Sequence, residues 1–226
     1  MSWRHSEIKA LFRGKRVTGN GMGLSAEQIR DHLDALGKVE PAFARAVLAV
    51  GYPEPRIRDR GYVTLLRTIV AQQISVKAAD SVWAKVAAAV DPVDDPAVMV
   101  AASDGTLRAA GLSRQKIGYC RSLAQLVAGG TLDLHDLPAD DEEAIAALML
   151  IKGIGRWSAE IYLLFAEGRP DIWPAGDLAV QEDVGRLLGH DVRPGEKLVR
   201  ELAEAWRPYR GAAAIFAWHH YGAPTL

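Results

Sequence analysis

The sequence predicts an all-α fold, and three observations carry the prediction. Apolar residues recur at helical spacing in segment after segment, short Gly, Pro and Asp runs separate those segments, and the alternation expected of strands is almost absent. With 226 residues and 49% hydrophobic content, the chain is long enough to bury a sizeable core. It is read as a basic N-terminal extension over residues 1–24 and a helical domain over 25–226, the latter as two helical lobes around a cleft.

The first helix is announced by Ser25 with Gln28 three residues later, a capping box ahead of an apolar stripe through Ile29, Leu33 and Leu36. "PAFARAVLAV" follows, then "GYVTLLRTIVAQQ" and "SVKAADSVWAKVAAAV", where Ser75 is a good N-cap. "SRQKIGYCRSLAQLVAGG" and "DDEEAIAALML" carry the pattern onward, followed by "GRWSAEIYLLFA" and "DLAVQEDVGRLLG". "PGEKLVRELAEAW" and "YRGAAAIFAWHHY" complete a set of roughly ten short helices. The "TGNGMG" glycines follow no strand and read as a flexible connector rather than a phosphate loop.

Composition narrows the function. No run approaches ~20 apolar residues, and the basic start "MSWRHSEIKALFRGKR" lacks the apolar centre of a secretory signal, so no membrane association and a cytoplasmic location are expected. Cys120 is the single cysteine of the 226 residues, so these residues cannot form an internal disulfide or supply the ~4 thiolates of an iron–sulfur cluster. It reads as buried filler. A net charge of −1 argues against whole-surface attraction to nucleic acid but is compatible with one basic face, because Arg and Lys crowd the first 60 residues while "DDPAVMVAASDG" and "LPADDEEAIA" are acidic.

The stretch "LMLIKGIGRWSAEIYLLF" poses the sharpest question. Gly153 and Gly155 interrupt two helical patterns, and each would cost roughly 1 kcal/mol inside a helix, so the chain turns there. A helix–hairpin–helix motif has this form: glycines allow the turn and leave amides at the start of the second helix accessible to a phosphate. From the glycines alone an ordinary αα-turn remains open, and Lys152 and Arg156 read equally as phosphate contacts or as solvated surface charges.

"LMLIKGIGRWSAEIYLLFAEGRPDIWPAGDLAVQ", "LLRTIVAQQISVKAADSVWAKV" and "AGLSRQKIGYCRSLAQL" together resemble the helix–hairpin–helix DNA glycosylases, specifically the 3-methyladenine DNA glycosylase II branch. The likeness runs from about residue 40 to 221, in the compact form without the N-terminal β-rich domain of larger members. It implies excision of alkylated bases from damaged double-stranded DNA by hydrolysis of the N-glycosidic bond, as base excision repair requires. Such an enzyme must flip the nucleotide, so it needs a backbone clamp, a wedge, a base pocket and a carboxylate near the sugar.

The resemblance distributes these roles. The clamp is Gly153 and Gly155 with Lys152 and Arg156, and it implies a monovalent cation held by the carbonyls of Met149, Ile151 and Ile154. The wedge lies in "AQQIS", with Gln73 at the inserting position, Gln72 and Ile74 beside it and Ser75 opening the next helix. Asp177 aligns with the catalytic aspartate; its place after Pro174 and Gly176 and before an apolar pattern also makes it an N-cap, and an anion there can stabilise an oxocarbenium-like sugar. The family often has a second acidic residue directly before that aspartate, where this chain has Gly176.

Trp157 stands where strand-cutting relatives carry a lysine, which implies a monofunctional enzyme using water, with the indole lining the base pocket unless it packs the core. Tyr209 and Gly211 are further pocket candidates, with Ala212 to Ala214 suggesting an open wall. Trp218 is expected in the core, Asp171 and Asp183 at the surface, and His219 and His220 in structural or exposed positions without metal-ligand spacing. A monomer suffices for this task. A same-fold glycosylase for an oxidised or deaminated base and a noncatalytic DNA-binding helical protein stay open as alternatives.

Overall fold

Residues 22–223 are described by the computed structural model, and within them helices begin where the sequence provides caps. α1 (Ala26–Val39) starts at Ser25, whose hydroxyl accepts from the Gln28 amide while the Gln28 side chain accepts from the Ser25 amide. α2 (Pro41–Val50) has Pro41 in its first turn, where a missing N–H does no harm. α3 (Tyr62–Ala71) leads through a short elbow to α4 (Val76–Ala89), capped by Ser75.

α5 (Pro96–Ala101) and α6 (Asp104–Ala109), with Asp95 and Ser103 as caps, form inside the acidic stretch that sequence periodicity left unassigned. Six residues are too few to display a helical period. α7 (Arg114–Ala128) is capped by Ser113 and α8 (Asp141–Met149) by Asp140. α9 (Arg156–Phe165) follows the glycine hairpin, and α10 (Leu178–Leu188) begins at Asp177. α11 (Glu196–Leu202) runs into a 3-10 turn over Ala203–Trp206, and α12 (Arg210–Tyr221) completes the set. Among the described residues there is no strand, and no helix is long and apolar enough to cross a membrane.

Two compact units result. The first takes residues 22–57 and 163–223 of the described chain. Its core joins the α1 stripe of Ile29, Leu33 and Leu36 to an aromatic cluster in which Phe43 meets Trp206 edge-on at 5.0 Å and Trp206 meets Trp173 edge-on at 5.4 Å. Burial of each such side chain contributes about 1.5–3 kcal/mol. α12 is buried from Arg210 to Trp218. The second unit, residues 58–162, packs α3 and α5 against α7, with Leu65, Leu66, Ile69, Met99, Ile117 and Leu123 inside. Cys120 lies in this core as expected, and burial pushes its thiol up to about 12, which leaves it an inert apolar filler at neutral pH.

Residues 1–21 of the expected basic extension lie outside the described residues, as does the connector before Met22. Met22 to Leu24 belong to the first unit: the Met22 amide donates to the Ala166 carbonyl, and Leu24 is buried. Two expectations about charge are corrected. Asp183 is buried and paired with His220 at 2.7 Å, and Asp171 is largely buried between Arg207 and Arg210. Neither is a solvated surface carboxylate.

Candidate DNA-contacting and catalytic residues

In the second unit the hairpin and the elbow after α3 lie together. The turn runs from the end of α8 to Gly155, with the Ile154 amide donating to the Ile151 carbonyl and the Ala159 amide donating to the Gly155 carbonyl. Its two glycines differ. Gly153 has φ +86°, a left-handed conformation, and a Cβ there would fall 2.2 Å from Cδ2 of Tyr119, whose ring lies over the turn. At Gly155 a Cβ would meet nothing within 4 Å, so the position just before α9 carries no side chain and is open.

The side chains around the turn also separate. Lys152 is exposed, and its backbone amide donates to Ser122 Oγ at 3.1 Å. Arg156, by contrast, is bound: its guanidinium holds Glu142 with a bond of 2.8 Å and Glu160 with one of 3.0 Å, tying α8 to α9. The carboxylates hold the Arg156 charge firmly in place, so in this structure Arg156 ties the two helices of the hairpin together. Trp157 is half-buried on the first turn of α9.

The elbow places Gln73 exposed at its tip with φ +59°, the one described non-glycine residue in the left-handed region. Such a backbone costs of order 1–3 kcal/mol and persists only where its surroundings enforce it. Ser75 caps α4 by accepting from the Ala78 amide, Ile74 is half-buried, and the Gln72 side-chain amide donates to the Gly153 carbonyl at 2.9 Å. Gln72 is thus directed to the protein's own hairpin.

In the first unit Asp177 is buried at 4% exposure at the start of α10. Its Oδ1 accepts from the Ala179 amide at 2.9 Å, the Val180 amide at 3.1 Å and the Trp218 indole N–H at 3.2 Å. Three donors at the start of α10 fix the orientation of the carboxylate. The loop that delivers it is braced along its length. Arg210 grips Asp171 with bonds of 2.9 and 2.8 Å, the Trp173 indole donates to the Val199 carbonyl at 3.2 Å, and the Gln181 amide donates to the Ala175 carbonyl at 2.8 Å.

Trp218 therefore does more than fill the core, a function that sequence reasoning missed. Its ring packs on Phe165 at 5.7 Å while its N–H reaches the carboxylate. Tyr209 is half-buried with its ring 5.0 Å from His32. The expected open wall at Gly211 is corrected: a Cβ there would sit 2.6 Å from the Pro170 carbonyl oxygen, and Ala212 to Ala214 are buried. Gly211 lets α12 pack closely against Pro170, its amide donating to the Pro170 carbonyl at 2.7 Å. His219 and His220 serve structure, as expected, through the Val50 carbonyl and Asp183.

Known proteins of similar sequence and structure share this architecture. DNA-3-methyladenine glycosylase 1 of Schizosaccharomyces pombe is 28% identical over 190 residues, covering 81% of this chain and 83% of its own. A Bacillus subtilis relative is 32% identical over 113 residues, and the chain spans only 39% of its length. The crystal structure of a DNA-3-methyladenine glycosidase from Bacillus halodurans superposes with a TM-score of 0.76 at 30% identity, covering 88% of this chain and 92% of the other. The Schizosaccharomyces pombe 3-methyladenine DNA glycosylase in complex with abasic DNA gives 0.69 at 28% identity, covering 84% and 95%. Residues 66–208 match the HhH-GPD superfamily of base excision DNA repair proteins, which takes in the elbow, the hairpin and Asp177, and the chain belongs to that family.

Proposed function

We propose that this protein is a DNA glycosylase that flips alkylated bases such as 3-methyladenine out of duplex DNA and hydrolyses their N-glycosidic bonds, acting as a monomer in the cytoplasm. The observation that carries the reading is Asp177, a buried carboxylate fixed by three N–H donors at a helix N-terminus within the matched family segment. The fixed anion stabilises positive charge as the sugar becomes oxocarbenium-like, and its hydrogen bonds are already made before reaction, so little reorganisation is required. Similarity to 3-methyladenine glycosylases along most of the chain supports the substrate class.

Contacts to DNA follow from the second unit. The bare turn at Gly155 lets a phosphate approach the start of α9, and Lys152 adds a positive charge beside it. The hairpin carbonyls of Met149, Ile151 and Ile154 are hard oxygen donors suited to a monovalent cation. Such an ion would supply positive charge between hairpin and phosphate. Gln73, exposed at the tip of the elbow, is the side chain that fills the gap left by the flipped nucleotide. Trp157 offers an aromatic face to a cationic methylated purine, with Tyr209 as a further pocket residue; Gly211 is assigned to packing instead.

Excision is followed by no strand cleavage. Forming a Schiff base with the sugar needs an amine, and Trp157 presents an indole in its place, which leaves water as the nucleophile. The test is release of free base from methylated duplex DNA, with borohydride trapping and gels run with and without alkali. Free base and an alkali-labile strand are expected. Binding without release of any base would reduce the protein to a DNA-binding module, release only of oxidised or deaminated bases would change the substrate class, and a trapped adduct would place it among strand-cutting enzymes.

A further inference from the structure

We propose that Gln72 is a positioning residue that latches the strained elbow at Gln73 to the hairpin, so that the wedge and the phosphate clamp meet DNA as one rigid body. This inference rests on the glycosylase reading and assigns Gln72 a different task from direct DNA contact.

The geometry comes from three ties within one unit. The Gln72 amide donates to the Gly153 carbonyl at 2.9 Å, spanning 81 positions of sequence. Lys116 Nζ of α7 donates to the Val70 carbonyl at 2.7 Å, holding the last turn of α3 immediately before the elbow. One helical turn further along α7, the Tyr119 ring lies against Gly153. α7 thus grips the elbow and the hairpin, and Gln72 closes the link between them.

Gln73 needs such a frame. Its φ of +59° is unfavourable for a non-glycine residue, so a loose elbow would relax and withdraw the side chain from the position it takes at the tip. A wedge held in advance spends no binding energy on its own ordering when a nucleotide leaves the stack. Gly153, whose left-handed φ forms the turn, also supplies the latch acceptor through its carbonyl.

Two variants remove the bond in opposite ways. Gln72→Met keeps the reach without the N–H, and Gln72→Asn keeps the amide but is one methylene short. Each is assayed for single-turnover release of 7-methylguanine paired with cytosine and of the same base opposite an abasic site. Each is also followed by 2-aminopurine fluorescence on binding a duplex with a tetrahydrofuran abasic site opposite the probe. Both variants should slow release from the paired lesion about fivefold, the equivalent of one ordinary hydrogen bond. The unpaired lesion should be slowed less, because its flipping barrier is already low, and the 2-aminopurine change should be slower.

Equal slowing on both lesions would reduce Gln72 to a general structural residue and overturn the proposal, as would wild-type rates in both variants. Absence of any 2-aminopurine change with the wild-type protein would overturn it too. If the wild type gives the fluorescence change, the variants slow it, and no base is released, the latch stands while the glycosylase reading fails.

Discussion

Two turns in this molecule each lead into a helix, and they use that helix start in opposite ways. The Asp171–Asp177 loop ends on a carboxylate that takes the first amides of α10 for itself, whereas the hairpin before α9 ends on Gly155, which offers no side chain at all. The first turn is fixed by side chains, namely Arg210, Trp173, Gln181 and Trp218. The second is fixed by backbone conformation at Gly153 and by the Tyr119 ring. A helix N-terminus attracts anions in both cases. In one turn a carboxylate is built into the chain and buried; in the other Gly155 places no side chain there, which is what the proposed approach of a DNA phosphate needs.

The comparison breaks most sharply at Asp177. Asn has the same shape and its amide oxygen can still accept from Ala179, Val180 and Trp218, so Asp177→Asn should fold as the wild type does. Only the charge is lost, and single-turnover excision should fall by about 10²–10³, with DNA binding unchanged or tighter because a negative group near phosphates has gone. Near wild-type excision by this variant would show that the buried anion is not what the chemistry uses.

A smaller effect is expected from Trp218→Phe, which keeps an aromatic ring against Phe165 but removes the donor to Oδ1. Loss of a hydrogen bond to a charged group should slow excision about tenfold. The same change made in the Asp177→Asn background should have little further effect, since the indole acts through the carboxylate charge. Equal slowing in both backgrounds would identify Trp218 as packing alone.

The hairpin answers differently because it is made of backbone. Gly153→Val forces a β-branched residue into φ +86° and into the Tyr119 ring, so it should unfold the turn and lower the thermal midpoint of the protein. Gly155→Val meets no neighbour, should cost about 1 kcal/mol through the poorer cap, and should weaken binding to damaged and undamaged duplex alike by about fivefold. Unchanged affinity in a folded Gly155→Val protein would mean that the open turn is not where DNA sits.

Much of this design is legible in the sequence, because caps and turns act locally. Ser25, Ser75 and Asp177 each announce a helix within three residues, and the glycine pair announces the hairpin. What stays hidden depends on partners far along the chain. Trp218 lies 41 positions from Asp177, Arg210 lies 39 from Asp171, and His220 lies 37 from Asp183, so no local pattern distinguishes these from a core indole and two surface acids. The ties of Arg156 are hidden for a related reason: only the fold brings Glu142 to it. Gly211 and its alanines reflect close helix packing, which in sequence looks the same as an open wall.

The last and smallest effect concerns the pair that buried Asp183 of α10 makes with half-buried His220, where charge bears on stability. The hydrogen bond that Asp183 accepts from the His220 ring raises the pKa of His220, partly offset by burial and by Arg186 nearby, and burial raises that of Asp183. A histidine whose pKa is higher in the fold than in the unfolded chain, where it is about 6.5, stabilises fully below that value, and the contribution is lost as pH rises through the folded pKa. The thermal midpoint should therefore decline from about pH 6 upward until His220 is neutral, and the decline should flatten in Asp183→Asn, which removes the carboxylate that holds the imidazolium. Thermal unfolding of both proteins across that window, with the His220 ring followed by NMR, makes the comparison. An undiminished slope in Asp183→Asn would assign the pH dependence to another group and leave the His220 hydrogen bond a matter of geometry rather than charge.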